Sequence, residues 1–128
     1  MDVRLTEHIN NFLIALMRLE EAIAQPENSF LRDATIKRFT SAYDLAHRVI
    51  TLWLDIRASA ALDAKDKLQA ALEQGLITDN SGWNELSRIR TLAYSAYSEI
   101  HAIHVYDFVK ADGVRLFKAL AAAVHPCS

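Results

Sequence analysis

The chain has 128 residues and a formal charge of −2, from fourteen basic and sixteen acidic residues. That length suits one domain, 1–128, with a sizeable core, and the charge balance does not advertise nucleic-acid binding. With 52% hydrophobic residues but only three glycines and two prolines, the composition argues for helix and against turn-rich strand folds.

A first helix is expected from about Leu5 to Ala24, where Leu5, Ile9, Phe12, Leu16 and Ile23 recur at helical spacing. Thr6 or Asp2 is its cap, and Gln25-Pro26 ends it because proline cannot donate to a helical ladder. Asn28 or Ser29 then caps a second helix, Phe30 to Arg57, about 40 Å long at about 1.5 Å per residue. Phe39, Tyr43 and Trp53 give its stripe bulk, while Leu52 and Ile56 widen the apolar surface beyond one strip. Two flanking helices, or one helix and a partner subunit, would cover it. A short helix follows from Ala64 to Gln74, with Asp63 as its cap and Gly75 in the left-handed position beyond its last turn. Thr78 to Gly82 reads as a turn-rich link.

The fourth helix is expected from Trp83 to Tyr97, with Trp83, Leu86, Ile89 or Arg90, Ala93 and Tyr97 along one side. Ser98 is either a cap at a break or part of a continuous helix. The last helical segment runs from Glu99 to Val124, with Ile100, Ile103, Val105 and Leu120 among the residues expected to face inward. Gly113 lies inside it, weakens it by about 1 kcal/mol against alanine, and marks a bend or a close crossing. The expected fold is all-α: an antiparallel up-and-down four-helix bundle with an additional short helix. No uncharged apolar run reaches membrane-spanning length, and no signal-peptide pattern opens the sequence, so the expected location is the cytoplasm.

Arg90 is the residue that stands out, because a guanidinium within an apolar stripe is costly unless its fork finds acceptors. A phosphate or nucleotide group would satisfy it. So would an ion pair with Asp44, Glu20 or Asp107, which is the plainer reading. Tyr94 and Tyr97, with Tyr43 and Tyr106, are candidates for an aromatic cluster whose default role is packing. His101 and His104 lie three apart and could begin a metal site only if folding brought in His8, His47 or acidic side chains; a satisfied or exposed pair is the plainer reading, and no metal or cofactor is expected. Cys127, two residues after His125, excludes an intrachain disulfide and is a poor candidate nucleophile. Arg32, Lys37, Arg38 and Arg48 give the second helix a basic side, and Lys65 and Lys67 add charge near the short helix. These would steer a phosphate-bearing ligand or an acidic protein, though a solvated face is the simpler account. There is no glycine-rich phosphate loop and no helix-turn-helix signal.

Three segments carry a family likeness: IKRFTSAYDLAHRVITLWL (Ile36 to Leu54), LQAALEQGLITD (Leu68 to Asp79) and WNELSRIRTLAYSAY (Trp83 to Tyr97). In their order and spacing the chain resembles the nucleotidyltransferase substrate-binding proteins, part of the wider HEPN group. The resemblance implies a bundle that commonly forms a homodimer and works with a separate small nucleotidyltransferase. In some such pairs the helical member is a metal-independent ribonuclease toxin, silenced by adenylylation of a tyrosine. The motif of those ribonucleases is an arginine, a few residues, a histidine, one residue and a tyrosine. Arg90 and Tyr97 match its ends, but Ser95 stands where the histidine belongs. Serine carries no group that titrates near neutrality and cannot act as that acid or base.

The expectation is therefore a non-catalytic accessory protein that binds a nucleotidyltransferase and a nucleotide or other phosphate-bearing ligand, with neither membrane nor RNA as partner. Arg90, Tyr97 and Tyr94 are its candidate binding residues, with Lys37 and Arg38 near enough to help hold a phosphate, and Tyr97 is the candidate modification site. A ribonuclease with a base displaced to His101 or His104, and a stand-alone structural bundle, are the alternatives.

Overall fold

The structure is a computed structural model that describes residues 3–58, 64–94 and 98–124. Among these, every regular element is helical: α1 (Val3–Ile23), α2 (Ser29–Ala58), α3 (Ala64–Glu73), α4 (Asn80–Tyr94), α5 (Glu99–Phe108), a π-helical turn (Val109–Gly113) and α6 (Val114–Val124).

The amphipathic pattern of α1 places Leu5, Ile9, Phe12, Leu16, Leu19 and Ala22 in the core, against α2 and α6. Thr6 lies inside α1 and is not its cap; Asp2, the other candidate, is outside the described residues. Asn28 caps α2, its Oδ1 accepting from the Leu31 N–H at 2.9 Å. Phe39, Ala42, Ala46, Val49, Ile50 and Leu54 form the buried face of α2, and Thr35, fully buried, donates its hydroxyl to the Leu31 carbonyl at 2.7 Å. Phe117 is the hub of the core. Phe12 meets it edge-on at 5.8 Å between ring centroids, Phe39 stacks on it at 6.0 Å, and Trp83 crosses it at 6.1 Å. One ring from α6 thus ties together α1, α2 and α4.

Gly75 adopts the expected left-handed conformation, with φ of 78°. The Leu76 N–H reaches the Ala71 carbonyl at 2.9 Å and the Gly75 N–H reaches that of Leu72 at 3.1 Å, so α3 ends in a Schellman motif. Leu76 and Ile77 then tuck into the core. The proposed Asp63 cap lies outside the described residues.

Two expectations are corrected. The helix containing Trp83 begins three residues earlier, at Asn80, because Asp79 caps it: its Oδ1 accepts from the Gly82 N–H at 2.8 Å and from the Ser81 hydroxyl at 3.2 Å. These bonds, with Arg115 nearby, hold the Asp79 carboxyl below the usual carboxylate range. Gly82 is required there, since a β-carbon would lie 2.6 Å from Asp79 Oδ2. The second correction concerns the phase of α5. Ala102, Val105 and Tyr106 are buried, whereas Ile100 is 78% exposed and Ile103 36% exposed. Ser98 realises the break: its backbone is extended (φ −103°, ψ 150°) and its hydroxyl accepts from the His101 N–H at 3.2 Å. The irregularity expected at Gly113 is the π turn, in which the Val114 N–H bonds the Val109 carbonyl five residues back.

Candidate functional site

Arg90 belongs to α4, one position beyond Ile89. Ile89 takes the core position, and Arg90 emerges at the edge of the stripe facing α2. Its side chain is only 14% exposed. Desolvation of this degree calls for a counter-charge, and Asp44 on α2 supplies it. Nε donates to Asp44 Oδ1 at 3.1 Å, and Nη2 donates to Oδ1 at 2.7 Å and to Oδ2 at 3.0 Å. Asp44 is thus the partner among the three carboxylates considered; Glu20 instead pairs with Lys118 at 3.2 Å. Nη2 also donates to the Tyr94 hydroxyl, and the guanidinium carbon lies 3.7 Å from the Tyr94 ring centroid. The Tyr43 centroid is 5.9 Å away on the other side.

The anticipated tyrosine cluster takes a different form. Tyr43 and Tyr94 flank Arg90 as cation–π partners, while Tyr106 is buried in the core. Tyr43 also stacks on His47, with centroids 6.3 Å apart. A groove of about 460 Å³ opens here, lined by Tyr43, Asp44, His47, Arg48, Ser87 and Arg90 among others. Burial, then the positive charge of Lys67, push His47 below the usual histidine range, while Asp44 opposes the shift. The imidazole is therefore neutral at neutral pH. Sequence reasoning considered His47 only as a companion metal ligand and missed its place beside Arg90, because it enters from α2 and not from the α4 motif.

Lys37 and Arg38 line a different groove, of about 640 Å³ between α1 and α2, together with Arg18, Ile14 and Leu45. Arg38 Nη1 donates to the Arg18 carbonyl at 2.7 Å and so bridges the two helices. Arg32 is held by Glu27 at 3.1 Å and Glu99 at 3.5 Å. Arg48 and Lys67 come together in a third groove, shared with His47. The basic side of α2 is thus divided among separate surfaces. Ser95, Tyr97 and Cys127 lie outside the described residues, and Lys65 belongs to the first turn of α3. His101 and His104 are exposed on α5, and no group of three or more metal-ligating side chains occurs among the described residues.

Residues 7–125 match the sequence model of the family described as nucleotidyltransferase substrate binding protein like. The chain belongs to that family. The match spans all three segments that carried the likeness, and with them the Arg90–Asp44 pair and the grooves on either side of α2. A comparison with curated proteins gave no match. Among the described residues, no helix of this nucleotidyltransferase substrate-binding-like protein is long and apolar enough to cross a membrane.

Proposed function

We propose that the chain is a non-catalytic accessory protein that binds a small nucleotidyltransferase and holds that enzyme's nucleotide or other substrate. The observation that carries this reading is the family match over residues 7–125, in a chain whose Arg90 is engaged by Asp44 and Tyr94 and whose motif histidine is replaced by Ser95. Arg90, Tyr94 and Tyr97 form the binding face. Lys37 and Arg38 line the separate α1–α2 groove and are not part of that face. The framework is a single cytoplasmic domain in which α1, α2, α4 and the α5–α6 rod pack up and down. A homodimer fits the apolar side chains left outside: Phe30 is 86% exposed and Ile100 78%, and the Arg32–Glu99 contact of 3.5 Å draws their two helix ends together.

Co-expression with a small nucleotidyltransferase tests the reading. The two chains should copurify, and Arg90→Ala should weaken the complex in a protein that is still folded. Absence of a complex with any such transferase would sink it. Intact-mass measurement after co-expression reads adenylylation of Tyr97 directly, and Tyr97→Phe should remove any added nucleotide mass.

One observation favours a second reading, a ribonuclease with a displaced base. His47, neutral at neutral pH, shares a groove with Arg90 and is a better-placed imidazole than His101 or His104. Metal-independent RNA cleavage that is lost in both His47→Ala and Arg90→Ala would establish it; uncut RNA would remove it.

A further inference from the structure

We propose that the groove between α1, α2 and α3 binds a linear phosphate chain, either inorganic polyphosphate or the di- or triphosphate of a nucleotide. Arg4 and His8 reach the groove from α1, His47, Arg48 and Thr51 from α2, and Lys67 from α3. Its volume is about 340 Å³, at the small end of ligand sites.

The first argument is charge. Arg4, Arg48 and Lys67 are its basic side chains, and no carboxylate lines the groove among the described residues. None of the three has a carboxylate within ion-pair distance among the described residues. Arg32, Arg88, Arg90 and Arg115 each meet at least one; among the described residues Arg18, Lys37 and Arg38 of the α1–α2 groove do not, and the groove of Arg4, Arg48 and Lys67 differs from that one in the unpartnered hydroxyl it adds. Like charges lining one groove repel, and an anion bound among them would relieve that repulsion. Lys67 reaches far enough to help hold His47 neutral, so the positive field is felt inside the groove. Asp44, the nearest acid known to act on His47, is already engaged by Arg90.

The second argument is an orphaned hydroxyl. Thr51 Oγ1 is buried and has no hydrogen-bond partner, and Thr51 lines this groove. Helical threonines have an easy remedy, which is to donate to the carbonyl four residues back. Thr35 does so at 2.7 Å and Thr91 at 3.2 Å. Thr51 does not, and a buried donor left without an acceptor destabilises the fold. A rotation of χ1 toward the groove would let it donate to a phosphate oxygen there.

The third is the state of His8. Its Nδ1 donates to the Arg4 carbonyl at 2.9 Å, which holds the ring in the groove lining. The set combines two guanidinia, an ammonium and a hydroxyl as donors, with two imidazoles beside them, a lining suited to several phosphoryl oxygens at once. Nothing in it reads a base, so the phosphate chain is the recognised part.

Calorimetric titration of the full chain at about 0.15 M salt, with sodium tripolyphosphate, ATP, inorganic phosphate and a single-stranded RNA oligonucleotide, tests this. Saturable binding of tripolyphosphate is expected, with inorganic phosphate at least about tenfold weaker. Lys67→Ala and Arg4→Ala should each weaken tripolyphosphate about tenfold, and the near-isosteric Thr51→Val about threefold or more. Equal affinity for ATP and tripolyphosphate assigns recognition to the phosphate chain alone. Tighter ATP binding with the same losses on substitution assigns the site to a nucleotide. The proposal is overturned if tripolyphosphate does not bind, if both Lys67→Ala and Arg4→Ala bind it unchanged, if inorganic phosphate binds equally well, or if only the RNA binds. These measurements use the isolated chain and residues outside the Arg90 groove, so their failure and the failure of transferase binding are separate results.

Discussion

Removing the Arg90 side chain tests the interpretation of the α2–α4 contact most directly. Arg90→Ala deletes three things. The first is a forked ion pair with Asp44, whose side chain is 51% exposed; solvent screening limits such a pair to about 0.5–1 kcal/mol. The second is the cation–π contact with Tyr94, itself 65% exposed, for about another 0.5–1 kcal/mol. The third is the packing of the buried aliphatic stem, worth about 1 kcal/mol. The sum is about 2 kcal/mol, or a fall in Tm of about 8 °C for a chain of this size. Asp44→Ala should cost about 1 kcal/mol, because Tyr94 still meets the guanidinium and water replaces part of the carboxylate. The decisive quantity is the coupling in the double-mutant cycle, which should be about 0.5–1 kcal/mol. Thermal and urea denaturation of the four proteins, followed by circular dichroism, measure it. A coupling indistinguishable from zero, or an Arg90→Ala protein that melts with wild type, would refute the reasoning and return Arg90 to solvent.

Gly75→Ala should cost about 1–2 kcal/mol in urea denaturation, with Gly75→Asn losing roughly half as much. No atom lies within 4 Å of the added β-carbon, so the whole loss would come from the φ of +78°. Gly82→Ala should cost about 1 kcal/mol despite placing a better helix former in α4, because the new β-carbon would stand 2.6 Å from Asp79 Oδ2 and 3.0 Å from Leu116 Cδ2; a neutral or stabilised variant would show that the cap is not formed as described. His47 gives a pH dependence of defined sign. Its folded-state pKa lies below the unfolded value near 6.5, so the folded chain binds the proton less well than the unfolded one. Stability is then complete above about pH 6.5 and declines as pH falls from there through the lowered value. Between pH 7.5 and 5.5 the Tm of wild type should fall more steeply than that of His47→Gln, and parallel profiles would contradict the placement of His47 between Lys67 and Asp44.

The sequence discloses those parts of the fold whose signals are local. The stripe of α1 is legible because polar and apolar residues alternate cleanly around the helix. Asn28 and Gly75 are legible because capping is written in a few neighbouring residues. The start of α4 was misread for a physical reason: Asp79-Asn80-Ser81-Gly82 has turn composition, yet the same residues suit a first helical turn when the leading aspartate accepts from the third residue after it. The phase of α5 was misread because Ile100 and Ile103 sit on the exposed side among Glu99, His101, His104 and Asp107, so bulky apolar residues fall outside the face that Ala102, Val105 and Tyr106 bury. The π turn is equally silent, since it changes hydrogen-bond register without a composition signal. At the candidate site, the Arg90–Asp44 pair was within reach of sequence reasoning, as one of three carboxylates. The groove of Arg4, His47, Arg48 and Lys67 was not, because its members come from three helices and only folding brings them together.

The placement of charge decides where on this surface a ligand is to be sought. With sixteen acidic residues against fourteen basic ones, unpaired cations do not arise from a shortage of carboxylates. Arg32, Arg88, Arg90, Arg115 and Lys118 have carboxylate partners, and their charges serve largely to hold helices and turns in place. Arg4, Arg48 and Lys67 line one groove instead, together with Thr51, whose buried hydroxyl has no acceptor. Folding alone does not favour either feature, and both are relieved by the same chemical object, an anion rich in oxygen acceptors. Arg90, the most awkward residue of the linear sequence, is compensated in three dimensions. The uncompensated residues are those that looked like an ordinary solvated face. His47 and Arg48 line both grooves, so a phosphate chain held against Lys67 would lie next to the Arg90–Asp44 pair. An anion bound there would favour the protonated form of His47 and bring the two surfaces under one electrostatic influence.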